Sequence, residues 1–343
     1  MGTEPASIDE ALRGLNAKEW QAALDYEISQ LKKLSTWVLV DLPKGEPVIP
    51  CTKVLKEKCG PPGKVETYSV RIVAGGHKQV EGINYTETFS AAVKIPSVHV
   101  VLANAAERDW EIHQIDVKSA YLQALLKETI YMRLPCGVLK PGQEGKVCRL
   151  LKGLYGLKQA GRGWYQELTK VMVGKLGFKW SALDHSVFCR KCNEEHTVVA
   201  VATDDMALTS KRKSDIMKLK SEISQHWEIT DGGEMQWYLG FAIKRDRVAQ
   251  TISINQQAYI NVEQIPTYQC KAREHANGSR GPIYKGPGTL DAYTSNLNVW
   301  CAIYRGNWMC AMAGYDNTAR LCICGVLFLL LVLCTHPGSL LLL

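Results

Sequence analysis

Acidic residues nearly vanish from the end of this chain: between residues 266 and 343 only Glu274, Asp291 and Asp316 are acidic. A centre that gathers about four carboxylates around two metal ions is therefore excluded from that stretch. Charge of one sign is not concentrated either. The formal net charge of +7 is spread over short clusters, Lys32-Lys33, Lys211-Arg212-Lys213 and Lys244-Arg245 with Arg247. Such a balance permits a polyanionic partner without demanding one. The opening MGTEPASIDEALRG lacks the basic and apolar regions of a secretory leader, and Ser7 stands one position too late for the Met-Gly myristoylation pattern. The apolar run LCICGVLFLLLVLC (321–334) has 14 residues, where a bilayer span takes about 20. The uncharged end continues to Leu343 but is broken by His336-Pro337-Gly338, so no membrane partner or tail anchor is expected. Cysteine is not scarce, with 12 in 343 residues. A chain this long needs no disulfide staples, so reduced thiols and an intracellular, cytoplasmic setting are expected.

The front part of the chain is regular. Asn16-Ala-Lys-Glu19 has a capping-box pattern, and Trp20, Leu24, Ile28 and Leu31 recur behind it at helical spacing. A helix over about 17–33 follows, with residues 1–14 expected as a flexible lead-in. Trp37 to Val40 reads as a strand stopped before Pro43, and 53–58 with 68–76 reads as a basic hairpin around a Gly-Pro turn at 60–63. Helices are expected over 97–108, 164–176 and 212–227, strands over 111–117 and 237–246, and short strands or turns at 129–135 and 146–152. This alternation of sheet and helix suggests an α+β fold. Beyond residue 261 the periodicity is lost, and Gly and Pro cluster at 278–288.

VVAVATDDMAL (198–208) sets Asp204 and Asp205 side by side between two apolar runs, as at the tip of a hairpin. Two solvated turn aspartates need no function. Joined by a third carboxylate they would make a site for Mg²⁺, a hard cation that takes oxygen ligands. Asp116, which closes IHQIDV, is the candidate partner, provided that its strand lies beside the 198–203 strand. Two ions there would suit in-line phosphoryl transfer, one activating the attacking oxygen and the other stabilising the leaving one. Two rival patterns are weaker. GLKQAGRG has the glycines of a phosphate loop but Arg-Gly where Lys-Ser/Thr is needed, and it does not clearly follow a strand and open a helix. Cys189-x-x-Cys192 with His196 lacks a second ligand pair at zinc-site spacing.

Six stretches, in order, carry a specific resemblance: EWQAALDYEISQLKKLSTWVLVDLP, VRIVAGGHKQVEGINYTETFS, QIDVKSAYLQALLKETIYMRLPCG, CRLLKGLYGLKQAGRGWY, ATDDMAL and MQWYLGFAI. Together they cover roughly 15–260, and the chain resembles the reverse transcriptase region of copia-type LTR retrotransposons. The resemblance implies a right-hand polymerase with fingers and an antiparallel palm sheet over 15–261. It implies copying of an RNA or DNA template-primer from dNTPs with two Mg²⁺ ions (Mn²⁺ as the alternative), in the setting of a virus-like particle. Carried over by position, it makes Asp116 and Asp204 metal ligands, with Asp205 beside them in a lesser role. It gives Arg71 the nucleotide triphosphate, through a guanidinium fork suited to phosphate oxygens. Tyr121, five residues after Asp116, would stack under the sugar and exclude a 2′-OH. Gln159 would lie near nucleotide and template, and Gly240 would let the primer backbone approach.

The sequence departs from the family at four places. Ala202-Thr203 stand where Tyr-Val or similar precedes the Asp pair, Ser69 replaces a basic residue two positions before Arg71, and the usual Trp near residue 54 is missing. After about residue 261 the resemblance stops. A thumb-like connection and an RNase H domain would follow in the family. Here the tail 262–343 is expected to be irregular, either disordered or read out of frame, with an apolar end at 321–343, an incomplete thumb and no RNase H activity. No integrase or protease pattern accompanies the chain. The alternative to an active polymerase domain is an inactive remnant that at most binds nucleic acid through its basic clusters.

Overall fold

The computed structural model describes residue 5 and residues 7–59, 65–135, 145–192, 195–255, 298–304 and 307–313. In chain order its helices are α1 (Ile8–Ala11), α2 (Ala17–Lys33), α3 (Ile95–Glu107), α4 (Ala160–Gly174) and α5 (Lys213–Ser224). The strands are β1 (Trp37–Asp41), β2 (Val48–Ile49), β3 (Cys51–Cys59), β4 (Val65–Ala74), β5 (Glu111–Val117), β6 (Leu125–Met132), β7 (Lys146–Lys152), β8 (Lys179–Trp180), β9 (Val187–Cys192), β10 (Glu195–Ala202) and β11 (Asp205–Ser210). They continue with β12 (Ile229–Glu234), β13 (Trp237–Tyr238), β14 (Phe241–Asp246), β15 (Thr251–Asn255), β16 (Asn298–Tyr304) and β17 (Asn307–Ala313). The mixed α+β class is as expected. Two units share these elements. One holds residues 1–92, 117–179 and 222–229, and the other 93–116, 180–221 and 230–343.

In the first unit, α2 buries Trp20, Leu24, Ile28 and Leu31, the four positions that recur in the sequence. They join Ile72, Met132 and Leu154 in one core, each such side chain contributing about 1.5–3 kcal/mol when fully buried. The helix also pins the β3–β4 hairpin, because Glu27 accepts the Ile72 N–H at 3.0 Å. A second sheet runs β1-β7-β6-β2. Two expectations change here. Asn16 has φ −101° and ψ 31°, away from the extended cap conformation, so its side chain makes no capping bond. Residues 7–12 are not simply a flexible lead-in: Ser7 caps α1, and Ile8 and Ala11 are buried in the same core.

In the second unit a six-stranded sheet runs β12-β5-β11-β10-β9-β8, with antiparallel pairing across β5–β11, β11–β10 and β10–β9. Apolar residues of α3, such as Val98 and Leu102, form a core with Ile112, Ala200 and Ala207 from that sheet. Asp184 fixes the start of α3: its two oxygens accept the N–H groups of Lys94 at 2.9 Å and Ser186 at 3.0 Å. The expected strand over 237–246 is two strands, β13 and β14, joined at Leu239 (φ 50°) and Gly240 (φ 80°). Positive φ at both central residues is the signature of a tight type I′ hairpin. A further sheet runs β13-β14-β15-β16-β17. So the tail is not irregular over 298–304 and 307–313. β-rich segments there, NVWCAIY and NWMCAMA, are separated in sequence by Arg305-Gly306, a short hairpin spacing that periodicity over a longer window misses. The Gly-Pro turn at 60–63, the rest of the tail and its apolar end lie outside the described residues.

Candidate active site

The carboxylates are placed by a ladder. Ala202 pairs with Asp205 across β10–β11, leaving Thr203 and Asp204 as the two-residue tip. Asp205, the first residue of β11, faces Asp116 in the register of β11 against β5. The neighbour of the Asp116 strand is thus β11, not the 198–203 strand: β11 lies between them. Thr203 holds φ 59°, a backbone region that is an outlier for a β-branched residue, and such strain gathers at functional sites.

The electrostatics follow from the register. Asp205 remains exposed, yet partial burial, then the charges of Asp204 and Asp116, push its pKa up to about 6 from 3.8. Tyr238, buried beneath, donates its hydroxyl to the Ala200 carbonyl at 3.0 Å. Burial, with Asp205 and Asp184 adding to it, moves its pKa upward. Among the described residues no three His, Cys, Asp or Glu side chains are gathered tightly enough to cage a metal as they stand. The fit to a divalent cation is therefore one of charge and donor type. Carboxylates that repel one another at a strand end are the oxygen donors a hard cation takes, and a bound cation would reverse the repulsion.

The other unit holds Arg71, Tyr121 and Gln159. The Arg71 guanidinium, on β4, lies over the ring of Tyr155, 4.7 Å from its centroid. Tyr121 meets the same ring edge-on, with centroids 5.2 Å apart. Gln159 is buried and its amide is taken up by the protein. Its Nε2 donates to the Asn84 carbonyl at 2.8 Å and to Glu128 at 3.3 Å, and its Oε1 accepts from Gln79 at 3.0 Å. It also lines a cavity of about 110 Å³ with Thr86, Glu87, Ala124 and Gly153. GLKQAGRG does follow a strand and open a helix, since it comes after β7 and its last four residues, from Ala160, are the start of α4, but the Lys-Ser/Thr of a phosphate loop is still missing. Gly240 sits in its turn with nothing within 4 Å of an added Cβ among the described residues, and its positive φ (80°) is what favours glycine there.

Sequence reasoning missed Tyr155. It stands in the quoted LYGLKQA stretch, but its partners are 84 and 34 positions away in the chain. Also missed was a cluster in which the buried Lys220 Nζ lies 3.0 Å from the buried His113 Nδ1 and pairs with the exposed Asp231.

The chain belongs to the reverse transcriptase (RNA-dependent DNA polymerase) family, whose model matches residues 34–271. Within that family it is a copia-type retrotransposon region. It is 36% identical over 258 residues to a retrovirus-related Pol polyprotein from transposon TNT 1-94 of Nicotiana tabacum, covering 75% of this chain and 19% of that one. It is 33% identical over 251 residues to one from transposon RE1 of Arabidopsis thaliana, covering 73% and 17%. The chain thus spans less than a fifth of the length of these curated relatives. Among solved structures it is similar to a foamy viral protease–reverse transcriptase in complex with double-stranded DNA. That likeness covers 67% of this chain and 34% of the other, at 14% identity and a TM-score of 0.38.

Proposed function

We propose that this chain is an RNA-directed DNA polymerase domain of a retrotransposon Pol polyprotein, working on a template-primer with dNTPs. The observation that carries the reading is the register that sets Asp205 opposite Asp116, with Asp204 at the adjoining tip. In this reading the six-stranded sheet is the palm and the β3–β4 hairpin belongs to the fingers. Two Mg²⁺ ions, or Mn²⁺, would supply charge neutralisation for in-line displacement. Asp116 and Asp204 would hold them, with Asp205 as the adjacent carboxylate. The primer 3′-oxygen bonds to the α-phosphorus of the dNTP, the bond from that phosphorus to the bridging oxygen breaks, pyrophosphate leaves, and the hydroxyl proton passes to solvent. Arg71 would neutralise triphosphate oxygens through charge-assisted hydrogen bonds. Tyr121 would exclude a ribose 2′-OH, and the Gly240 turn would approach the primer backbone. Gln159, with its amide engaged inside the protein, would act by holding the segment around Asn84 in place.

The test is primer extension on an RNA template with Mg²⁺, comparing the full chain with Asp204→Asn. Extension by the first and none by the second supports the reading. Failure of both with the chain folded favours a second one, an inactive remnant that binds nucleic acid. What favours that second reading is the Ala202-Thr203 pair before Asp204, which removes the family's aromatic residue beside the carboxylates.

A further inference from the structure

Tyr155 is assigned nothing by the reading above, yet its ring stands between the two residues proposed to recognise opposite ends of a nucleotide. The Arg71 guanidinium is 4.7 Å from its centroid, and the Tyr121 ring is 5.2 Å away at an interplanar angle of 67°. The three come from separate segments: strand β4, the turn after β5, and the loop between β7 and α4.

That loop is fixed by its backbone. The Tyr155 carbonyl accepts the Ala74 N–H at 2.8 Å, and the Gly153 N–H donates to the Ala124 carbonyl at 2.8 Å. A Cβ on Gly153 would stand 2.6 Å from the Tyr121 carbonyl oxygen, and one on Gly156 2.2 Å from that of Ala74. Glycines on both sides of Tyr155 therefore let the loop press against the backbones that carry Tyr121 and lead from Arg71. The ring is held from two directions, while the Arg71 side chain is long and exposed, feels the nearby Glu27 carboxylate, and is costly to order. A ring face under a guanidinium attracts it, and an edge-to-face pair fixes the plane of the second ring.

We propose that Tyr155 is a positioning residue for the incoming nucleotide. It holds Arg71 ready for the triphosphate and fixes the plane of Tyr121 against the sugar, so that phosphate binding and sugar selection depend on one ring. This rests on the polymerase reading. The proposed role lies in the face and edge of the ring, which meet Arg71 and Tyr121.

The experiment uses the full chain with Tyr155→Leu and Tyr155→Phe, each checked for folding by thermal melting. Single-nucleotide extension is read as KM for dNTP, kcat per primer-bound active site, and the dNTP-to-rNTP ratio of kcat/KM. Tyr155→Leu is expected to raise KM about threefold to tenfold and to lower the sugar selectivity by a similar factor. The effect on kcat is expected to be smaller, and Tyr155→Phe should rescue both losses. Unchanged KM and selectivity in Tyr155→Leu, a loss confined to kcat, or no rescue by Phe overturns the proposal. If the unmodified chain is folded yet makes no product, the polymerase reading fails separately, and equilibrium binding of labelled dTTP decides the role of Tyr155. Weaker binding by Leu restored by Phe supports it. Equal binding by Leu, or no binding by the unmodified chain, overturns it.

Discussion

Asp205 stands directly opposite Asp116 in adjacent antiparallel strands. Like charges facing each other across a sheet are destabilising by about 0.2–1 kcal/mol. The chain carries this cost at one end of a sheet whose interior is well buried, and the proposed cation would offset it. Replacing Asp205 with Asn should therefore stabilise the metal-free protein by about 0.5 kcal/mol. In the unmodified chain Mg²⁺ should raise the melting temperature, and Asp205→Asn should reduce that increment. Paired thermal melts with and without Mg²⁺ check both.

The same carboxylate gives a pH signature. Its folded pKa, about 6, lies above the ordinary 3.8. The folded state thus keeps the proton over a range where the unfolded chain has released it, so this group's contribution to stability falls as pH rises from about 4 to 6. Urea unfolding of the metal-free protein between pH 4 and 7 should show that fall as the difference between the unmodified chain and Asp205→Asn.

His113 predicts the opposite slope. Burial, then the neighbouring Lys220 charge, lowers its pKa below 6.5. The unfolded chain therefore binds the proton first as pH drops, and stability is lost as pH falls through 6.5 and below. His113→Gln should flatten the stability curve between pH 6.5 and 5. Asp231→Asn should destabilise by about 1–2 kcal/mol, because it leaves the buried Lys220 without its carboxylate.

Gly156 holds φ 88°, and an added Cβ would stand 2.2 Å from a backbone oxygen. Gly156→Ala should cost at least about 2 kcal/mol, through overpacking against backbone that cannot yield and an unfavourable conformation. Any folded product should show a raised KM for dNTP, since the adjacent Tyr155 moves with the loop. Denaturant melts and steady-state kinetics together check this.

Gln159→Leu removes the partner of the buried Gln79 amide and of the Asn84 carbonyl. It should cost about 1 kcal/mol, the net worth of the lost bonds, because the Gln79 amide and the Asn84 carbonyl keep their own contact at 3.4 Å. The loss should appear as a lower urea midpoint with an unchanged m-value.

By itself the sequence determined the elements whose signal is local. Trp20, Leu24, Ile28 and Leu31 repeat at helical spacing, and they are the residues α2 buries. The Asp204-Asp205 pair between apolar runs marked a hairpin tip, and the pairing of β10 with β11 is that hairpin. The family was legible too: five of the six quoted stretches fall within the matched residues 34–271, and the first, which begins at Glu19, runs into them. Tertiary structure decided what depends on distant neighbours. It placed β11 between β10 and β5, so that Asp205, and not Asp204, faces Asp116. It turned Asn16 away from capping and broke 237–246 at Leu239-Gly240, because backbone angles there are set by packing and turn geometry that residue type only biases. It also brought Arg71, Tyr121 and Tyr155 together. Periodicity reports which face of an element is buried, but not which element will cover it, and strand order and ring contacts depend on that second choice.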